Sequence, residues 1–333
     1  MGDIAEFSTA RVSSAKLDCK NYVSTENMLQ DFQGVVEAKS VPNDTNVISF
    51  TCGDILISNI RPYLKKVWKA TFDGGCSSDV FVLHATDAIT SDYLHYAIAN
   101  DRFINFVMSG AKGVKMPRGD KNQMRTYQLS LPSIQEQHKI AKLLTLLDER
   151  IATQSKLIED LKKLKAAIIE TSFLSEFSKK MEYFSPTIIS GKDKNTDGSY
   201  PLYGSTGKIG TVSTPSYTTP MVLVARVGSI GTVQYINEPC GVTDNTLILQ
   251  GDDVEYIYYF LSGFNFKKII SGTTQPLITA SSLKAIDVPI LNGHKKKALL
   301  AILKSLDKKI NLESLVENEQ RKLKLYILYQ MFI

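Results

Sequence analysis

Ile140-Ala141-Lys142-Leu143-Leu144-Thr145-Leu146-Leu147-Asp148-Glu149-Arg150-Ile151 returns, in its apolar spacing, as Leu299-Leu300-Ala301-Ile302-Leu303-Lys304-Ser305-Leu306-Asp307-Lys308-Lys309-Ile310. Asp307 lies 159 residues after Asp148, and a proline precedes each run, at Pro132 and Pro289. Apolar residues recur at alternating intervals of three and four, the signature of a helix with one apolar seam. From residue 134 to 172 there is no Gly or Pro, and at 1.5 Å per residue such a helix spans roughly 58 Å, too long for the inside of one compact domain. Its seam comprises Ile140, Leu144, Leu147, Ile151, Ile158, Leu161 and Ile168, with Leu143 beside it and Gln154 and Lys165 as polar lapses. In the second run the seam is Leu299, Leu303, Leu306 and Ile310. Its phase then slips toward Leu312, Val316 and Leu323, which predicts a less regular helix.

The repetition extends upstream. Ile55-Leu56-Ile57-Ser58 parallels Val222-Leu223-Val224-Ala225, and Ser77–Leu83 parallels Thr243–Leu249. Asp92-Tyr93-Leu94-His95-Tyr96 parallels Glu255-Tyr256-Ile257-Tyr258-Tyr259, and Ser109-Gly110 parallels Ser271-Gly272. A period of this length is no solenoid unit; it implies two copies of a whole domain, each followed by a long helix. The expected class is therefore α+β. Residues 1–133 and 176–290 form two mixed α/β domains in pseudo-twofold arrangement, separated by antiparallel coiled-coil helices over 134–175 and 291–333.

Composition bounds the class of protein. At 333 residues, with 43% apolar and 22% charged side chains, the chain accommodates two ordinary cores. It has neither a membrane-span run nor a signal-peptide pattern, so a cytoplasmic protein with no membrane partner is expected. Cys19, Cys52, Cys76 and Cys240 are scattered, which points to free thiols rather than a zinc site or disulfide framework. A net charge of +5 is a weak sign of an anionic partner. Its clustering says more: Arg61-Pro62-Tyr63-Leu64-Lys65-Lys66-Val67-Trp68-Lys69 and Lys112-Gly113-Val114-Lys115-Met116-Pro117-Arg118-Gly119-Asp120-Lys121 are both basic. Such patches suit phosphate neutralisation.

Enzymatic motifs are poorly supported. Gly207-Lys208 lacks the spacing and following hydroxyl of a phosphate-binding loop. No Asn-Pro-Pro-aromatic or Asp-Pro-Pro-aromatic tetrapeptide occurs. Glu37-Ala38-Lys39 with Asp31 nearby resembles a fragment of a metal-dependent nuclease site, and His84, His95, His138 and His294 show no metal-ligand spacing. No catalytic residue and no metal site is assigned.

Leu131-Pro132-Ser133-Ile134-Gln135-Glu136-Gln137-His138-Lys139-Ile140-Ala141, continuing to Leu147-Asp148-x-x-Ile151, resembles the central conserved region of the specificity (S) subunits of type I restriction–modification systems. Tyr200-Pro201-Leu202-Tyr203-Gly204-x-x-Gly207-x-Ile209-Gly210, read as a loop before a strand pair, and Arg226-x-Gly228-x-x-Gly231 resemble the start of a target recognition domain. Ile290-Leu291-Asn292-Gly293-His294-Lys295 departs from the Gln-Glu-Gln pattern. The resemblance implies two target recognition domains reading the halves of a split, asymmetric site in double-stranded DNA. It also implies helices that set the gap and dock two methyltransferase (M) subunits, with restriction/translocase (R) subunits joining them. S-adenosylmethionine, ATP and Mg would then belong to the partner subunits, and this chain would hold no cofactor.

Base reading needs Arg, Lys, Asn or Gln at groove edges. The candidates are Lys112, Lys115, Arg118 and Lys121 in the first half and Thr273, Thr274, Gln275 and Thr279 in the second. Arg61 and Arg226, at the ends of matching strands, and Ser205, Thr206 and Lys208 follow. Tyr256, Tyr258, Tyr259 and Phe260 are read as core rather than base-stacking residues. Two rival readings are a stand-alone metal-dependent restriction endonuclease and a paired-domain scaffold without a DNA role.

Overall fold

The computed structural model describes residues 1–272 and 276–332. In chain order, the helices of four or more residues are α1 (Ser91–Ile98), α2 (Asp101–Ser109), α3 (Lys121–Arg125), α4 (Ile134–Ser172), α5 (Met181–Phe184), α6 (Val254–Ser262), α7 (Ala280–Lys284) and α8 (Gly293–Met331). The chain divides into two compact units, one of residues 1–154 with 316 onward, the other of residues 155–315. Each unit thus takes one α/β body and one segment of each long helix. Among the described residues, no helix is long and apolar enough to cross a membrane.

In the first unit, strands Ala5–Phe7, Val80–Ala85, Ile55–Ser58 and Val67–Lys69 lie in that order in an antiparallel sheet. The inner strand Ile55–Ser58 is buried throughout, and alternation sends its side chains to two different cores. Ile55 and Ile57 meet Tyr93, Leu94, Ile98 and Phe103 of the helices. Leu56 joins Val23, Phe50 and Cys76 of a second sheet, whose strands run Arg11–Ser13, Asn46–Phe50, Gly74–Cys76 and Tyr22–Val23. The last two pair in parallel. Close approach explains Gly75: an added Cβ would sit 2.5 Å from Leu17 Cδ1.

The second unit repeats this plan. Thr187–Ser190, Thr246–Gln250, Met221–Ala225 and Val233–Ile236 form the antiparallel sheet. Val222 and Val224 face the helical core, Met221 and Leu223 the other. The second sheet holds Gly207–Val212, Tyr200–Gly204 and Gly241–Val242, again with one parallel pair. The glycine-rich stretch is thus itself a hairpin turning at Ser205-Thr206, not a loop ahead of one; Gly207 supplies the positive φ (118°) that the turn needs.

The helical stretch after the central sheet of the first unit is two helices, α1 and α2, broken at Asn100. Asn100 Oδ1 accepts from Phe103 N at 3.0 Å while its amide donates to the carbonyls of Tyr96 (3.1 Å) and Ala97 (2.8 Å). One side chain therefore closes the first helix and caps the second.

Both long helices run 39 residues without a break, so the phase slip after Ile310 leaves α8 continuous. Ser133 Oγ lies 3.4 Å from Glu136 N at the start of α4, and Asn292 Oδ1 accepts from Lys295 N at 2.8 Å at the start of α8. Within the first unit, Ala141 and Leu144 share a core with Leu328 and Phe332, while Asp148 meets Lys324; the segments run antiparallel. In the second, Ile169 packs with Leu299 and Leu303 while Lys165 meets Asp307, the same geometry. Leu144, Ile151, Ile158, Leu299, Leu303 and Ile310 are buried; Ile140, Leu147, Leu161 and Leu306 are half-buried. Leu143 is 42% exposed and lies off the seam, lining an open groove with Leu146, Leu147, Arg150 and Thr153.

Candidate nucleic-acid interface

The loop after α2 is a small hairpin. Lys112 N donates to Arg118 O (3.0 Å) and Arg118 N to Lys112 O (2.9 Å), closing residues 113–117 into a tip with Gly113 at φ 98°. Two more bonds tie the hairpin to the end of the central strand: Arg61 N to Pro117 O (2.8 Å) and Gly119 N to Asn59 O (3.0 Å). The second unit builds the same device. Ser271 and Leu277 exchange backbone bonds at 3.0 and 2.9 Å, and Ile278 N donates to Arg226 O at 3.1 Å.

This bonding fixes the register between the halves. Lys112 corresponds to Ser271, three residues on from the Ser109-Gly110 match, at the same 159-residue offset as the long helices. Arg226 corresponds to Asn59 rather than Arg61: Asn59 N donates to Asp79 O (2.7 Å) as Arg226 N does to Asn245 O (2.9 Å). Arg61 stands two residues further on, in the left-handed region (φ 51°, ψ 62°) and directly before Pro62. A non-glycine residue held there carries backbone strain of order 1–3 kcal/mol and is a mark of functional loops.

The basic residues then separate by partner. Lys112 reaches Asp120 Oδ2 (3.3 Å) and Arg118 reaches Asp79 (2.9 Å). Asp120 is the N-cap of α3, accepting from Asn122 N and Gln123 N, and these bonds with Lys112 hold its carboxyl below the usual range. Lys121 lies over the rings of Phe7 and Phe81, 5.2 and 4.7 Å from their centroids, so it packs the end of the sheet instead of extending into solvent. In the run 61–69, Lys65 pairs with Asp101 (2.7 Å), Lys69 with Asp92, and Lys66 donates to Thr25 O (2.5 Å). Among the described residues, exposed Arg61 and Lys115 have no acidic partner, which leaves them the strongest phosphate-contacting candidates of the first unit.

In the second unit, Thr273, Thr274 and Gln275 lie outside the described residues. Thr279 is the counterpart of Asp120: its hydroxyl accepts from Ser282 N (3.0 Å) in a capping box of α7. That cap occupies a group proposed to read bases. Half-buried Arg226 donates to Ser190 Oγ (3.3 Å), and Ser205 Oγ lies 3.4 Å from where a Cβ on Gly228 would sit, so the hairpin turn meets the Arg226–Gly231 loop. Thr206 and Lys208 are exposed beside it. Lys192 and Lys194 are also exposed here and were missed in the sequence. They alternate with Asp193, which turns inward to accept from Val242 N (2.7 Å) and Ser216 Oγ (2.6 Å). A Lys-Asp-Lys alternation is the available signal, and it was too short to stand out.

Behind these surfaces lies a duplicated polar clamp. Asp148 accepts from Tyr96 Oη (3.0 Å) and Lys324 Nζ (2.5 Å), with Lys324 also over the Tyr96 ring. Asp307 accepts from Tyr259 Oη (2.9 Å) and Lys165 Nζ (2.5 Å), with Lys165 over the Tyr259 ring. Burial, then the adjoining carboxylate, raises both phenols above the ordinary tyrosine range. Lys165 and Lys324 are also 159 residues apart, so the polar lapse of the first seam is half of a repeated motif. Of the aromatic run, Tyr256 and Tyr259 are buried, Tyr258 and Phe260 half-buried in the same core.

Gln137, the last polar residue of the Gln-Glu-Gln stretch, is wholly buried; it accepts from Thr90 N (2.8 Å) and donates to Ala88 O (3.1 Å) and Pro132 O (3.0 Å). It fastens the start of α4 to the loop before α1. Where the second half departs from the pattern, Lys296 stands in its place, paired with Asp253 at 2.5 Å and 5.1 Å from the Tyr256 ring centre. An ion pair replaces an amide lock, and the join is kept.

The duplicated body, the hairpin at each central strand end and the paired long helices define a class of chain that recurs elsewhere. The family of type I restriction modification DNA specificity domains matches it twice, over residues 1–163 and 169–320, and the chain belongs to that family. It is 26% identical over 172 residues to the type I restriction enzyme EcoDI specificity subunit of Escherichia coli, a match covering 50% of this chain and 36% of that protein. It is also 26% identical over 306 residues to the MjaVIII specificity subunit of Methanocaldococcus jannaschii, covering 75% of this chain and 72% of that one. The chain therefore spans about a third of the first relative's length. Its fold is similar to the crystal structure of a type I system S subunit from M. genitalium, with a TM-score of 0.64 at 17% identity over 97% of this chain and 96% of that one.

Proposed function

We propose that this chain is the non-catalytic DNA-recognition subunit of a type I restriction–modification complex, reading a bipartite, asymmetric site in double-stranded DNA, one half per unit. The carrying observation is the hairpin tied to the same strand end in both units, with unlike side chains on like frames. Identical anchoring supports a common approach to DNA; different tips support different half-site sequences. Arg61 and Lys115 in the first unit, and Arg226, Lys192, Lys194 and Lys208 in the second, would neutralise phosphates, the contacts that position a module without specifying sequence. Methyltransferase subunits, two in the reading favoured here, would dock on the exposed faces of α4 and α8, where Leu143, Leu146, Ile302, Leu312 and Leu315 present apolar surface. Restriction subunits would join through them. S-adenosylmethionine, ATP and Mg would be bound by those partners.

The test is a genome-wide map of N6-methyladenine with this chain present and deleted. A two-part motif that disappears on deletion is expected. Unchanged methylation in a cell expressing the complex would overturn the reading.

A further inference from the structure

The tip of the first hairpin carries a feature that phosphate binding does not use. Val114 is fully exposed and Met116 47% exposed, on either side of Lys115. Apolar side chains at a loop tip are ordinary when the loop is loose, but this tip is closed by the Lys112–Arg118 backbone pair and fastened to Asn59 and Arg61 by two further bonds. The shoulder cations Lys112 and Arg118 are drawn back onto Asp120 and Asp79, which leaves Lys115 at the tip and Arg61 beside Pro117 without an acidic partner among the described residues. The result is a fixed tip on which two exposed apolar side chains flank one cation.

We propose that Val114 reads the C5-methyl group of a thymine in the half-site engaged by the first unit, with Met116 packing beside it. This rests on the DNA-recognition reading above. The thymine methyl is the apolar group on the major-groove edges of the bases, and β-branched or small apolar side chains are suited to it. Arg61 and Lys115, which have no acidic partner among the described residues, suit the phosphate rows bounding the groove, and their contacts would bring Val114 and Met116 to the groove floor. A valine is stiff at χ1, so its two methyls are held in place with little entropy to lose on contact.

The experiment uses the full chain assembled with its methyltransferase subunits and a duplex bearing the motif found by methylation mapping. Each thymine of the two half-sites is replaced in turn by deoxyuridine, which lacks only the methyl. One replacement, in one half-site, is expected to weaken binding by the unaltered chain roughly three- to five-fold, the worth of one buried methyl. Val114→Ser should bind the thymine and deoxyuridine duplexes equally, whereas Lys115→Gln should weaken both and keep their ratio. If no thymine gives a difference, or if Val114→Ser retains it, the inference is overturned while sequence-preferring binding by the unaltered chain leaves the recognition reading standing. Loss of all preference for the motif over scrambled DNA would overturn both.

Discussion

The duplicated clamp offers a quantitative check, because its two copies differ in exposure. In the first unit, Lys324 and Asp148 side chains are 24% and 39% exposed; in the second, Lys165 and Asp307 are 17% and 30% exposed. The perturbations are Asp148→Asn, Lys324→Met and both together, with the matching set Asp307→Asn, Lys165→Met and both. Exposed ion pairs couple by about 0.2–1 kcal/mol, and hydrogen bonds to charged groups contribute about 1.5–3 kcal/mol. The partly exposed first pair should therefore couple by about 1 kcal/mol, and the more buried second pair by about 2 kcal/mol. Breaking the second pair singly should cost more than replacing both members, because a lone charge is left poorly solvated. Double-mutant cycles from urea titrations measure this directly. Trp68, the chain's single tryptophan, reports the first unit by fluorescence; far-UV circular dichroism follows the second. A coupling below about 0.3 kcal/mol at Asp307–Lys165 would refute the clamp as an energetic link. So would equal or reversed couplings in the two copies.

Two further outcomes follow from the same geometry. Burial, then Lys324 and Lys69, pushes the His95 imidazole down to about 4, so the native state keeps it neutral while the unfolded chain takes up a proton near its ordinary value of 6.5. Stability should then fall as pH drops from about 6.5 toward 4, by on the order of 2 kcal/mol, and His95→Tyr, the residue at the equivalent position 258, should flatten that slope in urea midpoints. In DNA binding, Lys115→Gln should lower the slope of log affinity against log salt by about one, while Lys121→Gln should leave the slope alone and reduce stability by about 0.5–1 kcal/mol; equal slope changes would merge the two roles assigned here.

Much of the frame was legible because apolar period and punctuation are local signals. The matched strands Ile55–Ser58 and Met221–Ala225, the two long helices and the core placement of Tyr256 and Tyr259 all follow from residues whose spacing repeats. What escaped is set by partners distant in sequence. Asn100 reads as a helix interior residue until its amide is seen closing one helix and opening the next. Lys121 counts as a surface cation until Phe7 and Phe81, far away along the chain, are placed beneath it. Thr279 resembles a reading residue, although its hydroxyl is taken by its own helix. Charge counting cannot separate Lys115 from Lys112, because the difference lies in Asp120. The alignment of Arg226 with Asn59 needed the hydrogen-bond register, since two arginines near strand ends look alike in a string of letters.

The hairpins on the two central strands have one more consequence. In each, an opening residue and a closing residue six positions later exchange both backbone bonds, and the very next residue binds the strand end. None of these bonds involves a side chain between the two closing residues. Residues 114–116 can therefore drift without disturbing the frame beneath, while Gly113 keeps its positive φ and Pro117 its bond to Arg61. On the proposed DNA-recognition reading, exchange of a few letters at the tip would give new addresses without refolding the protein that carries them.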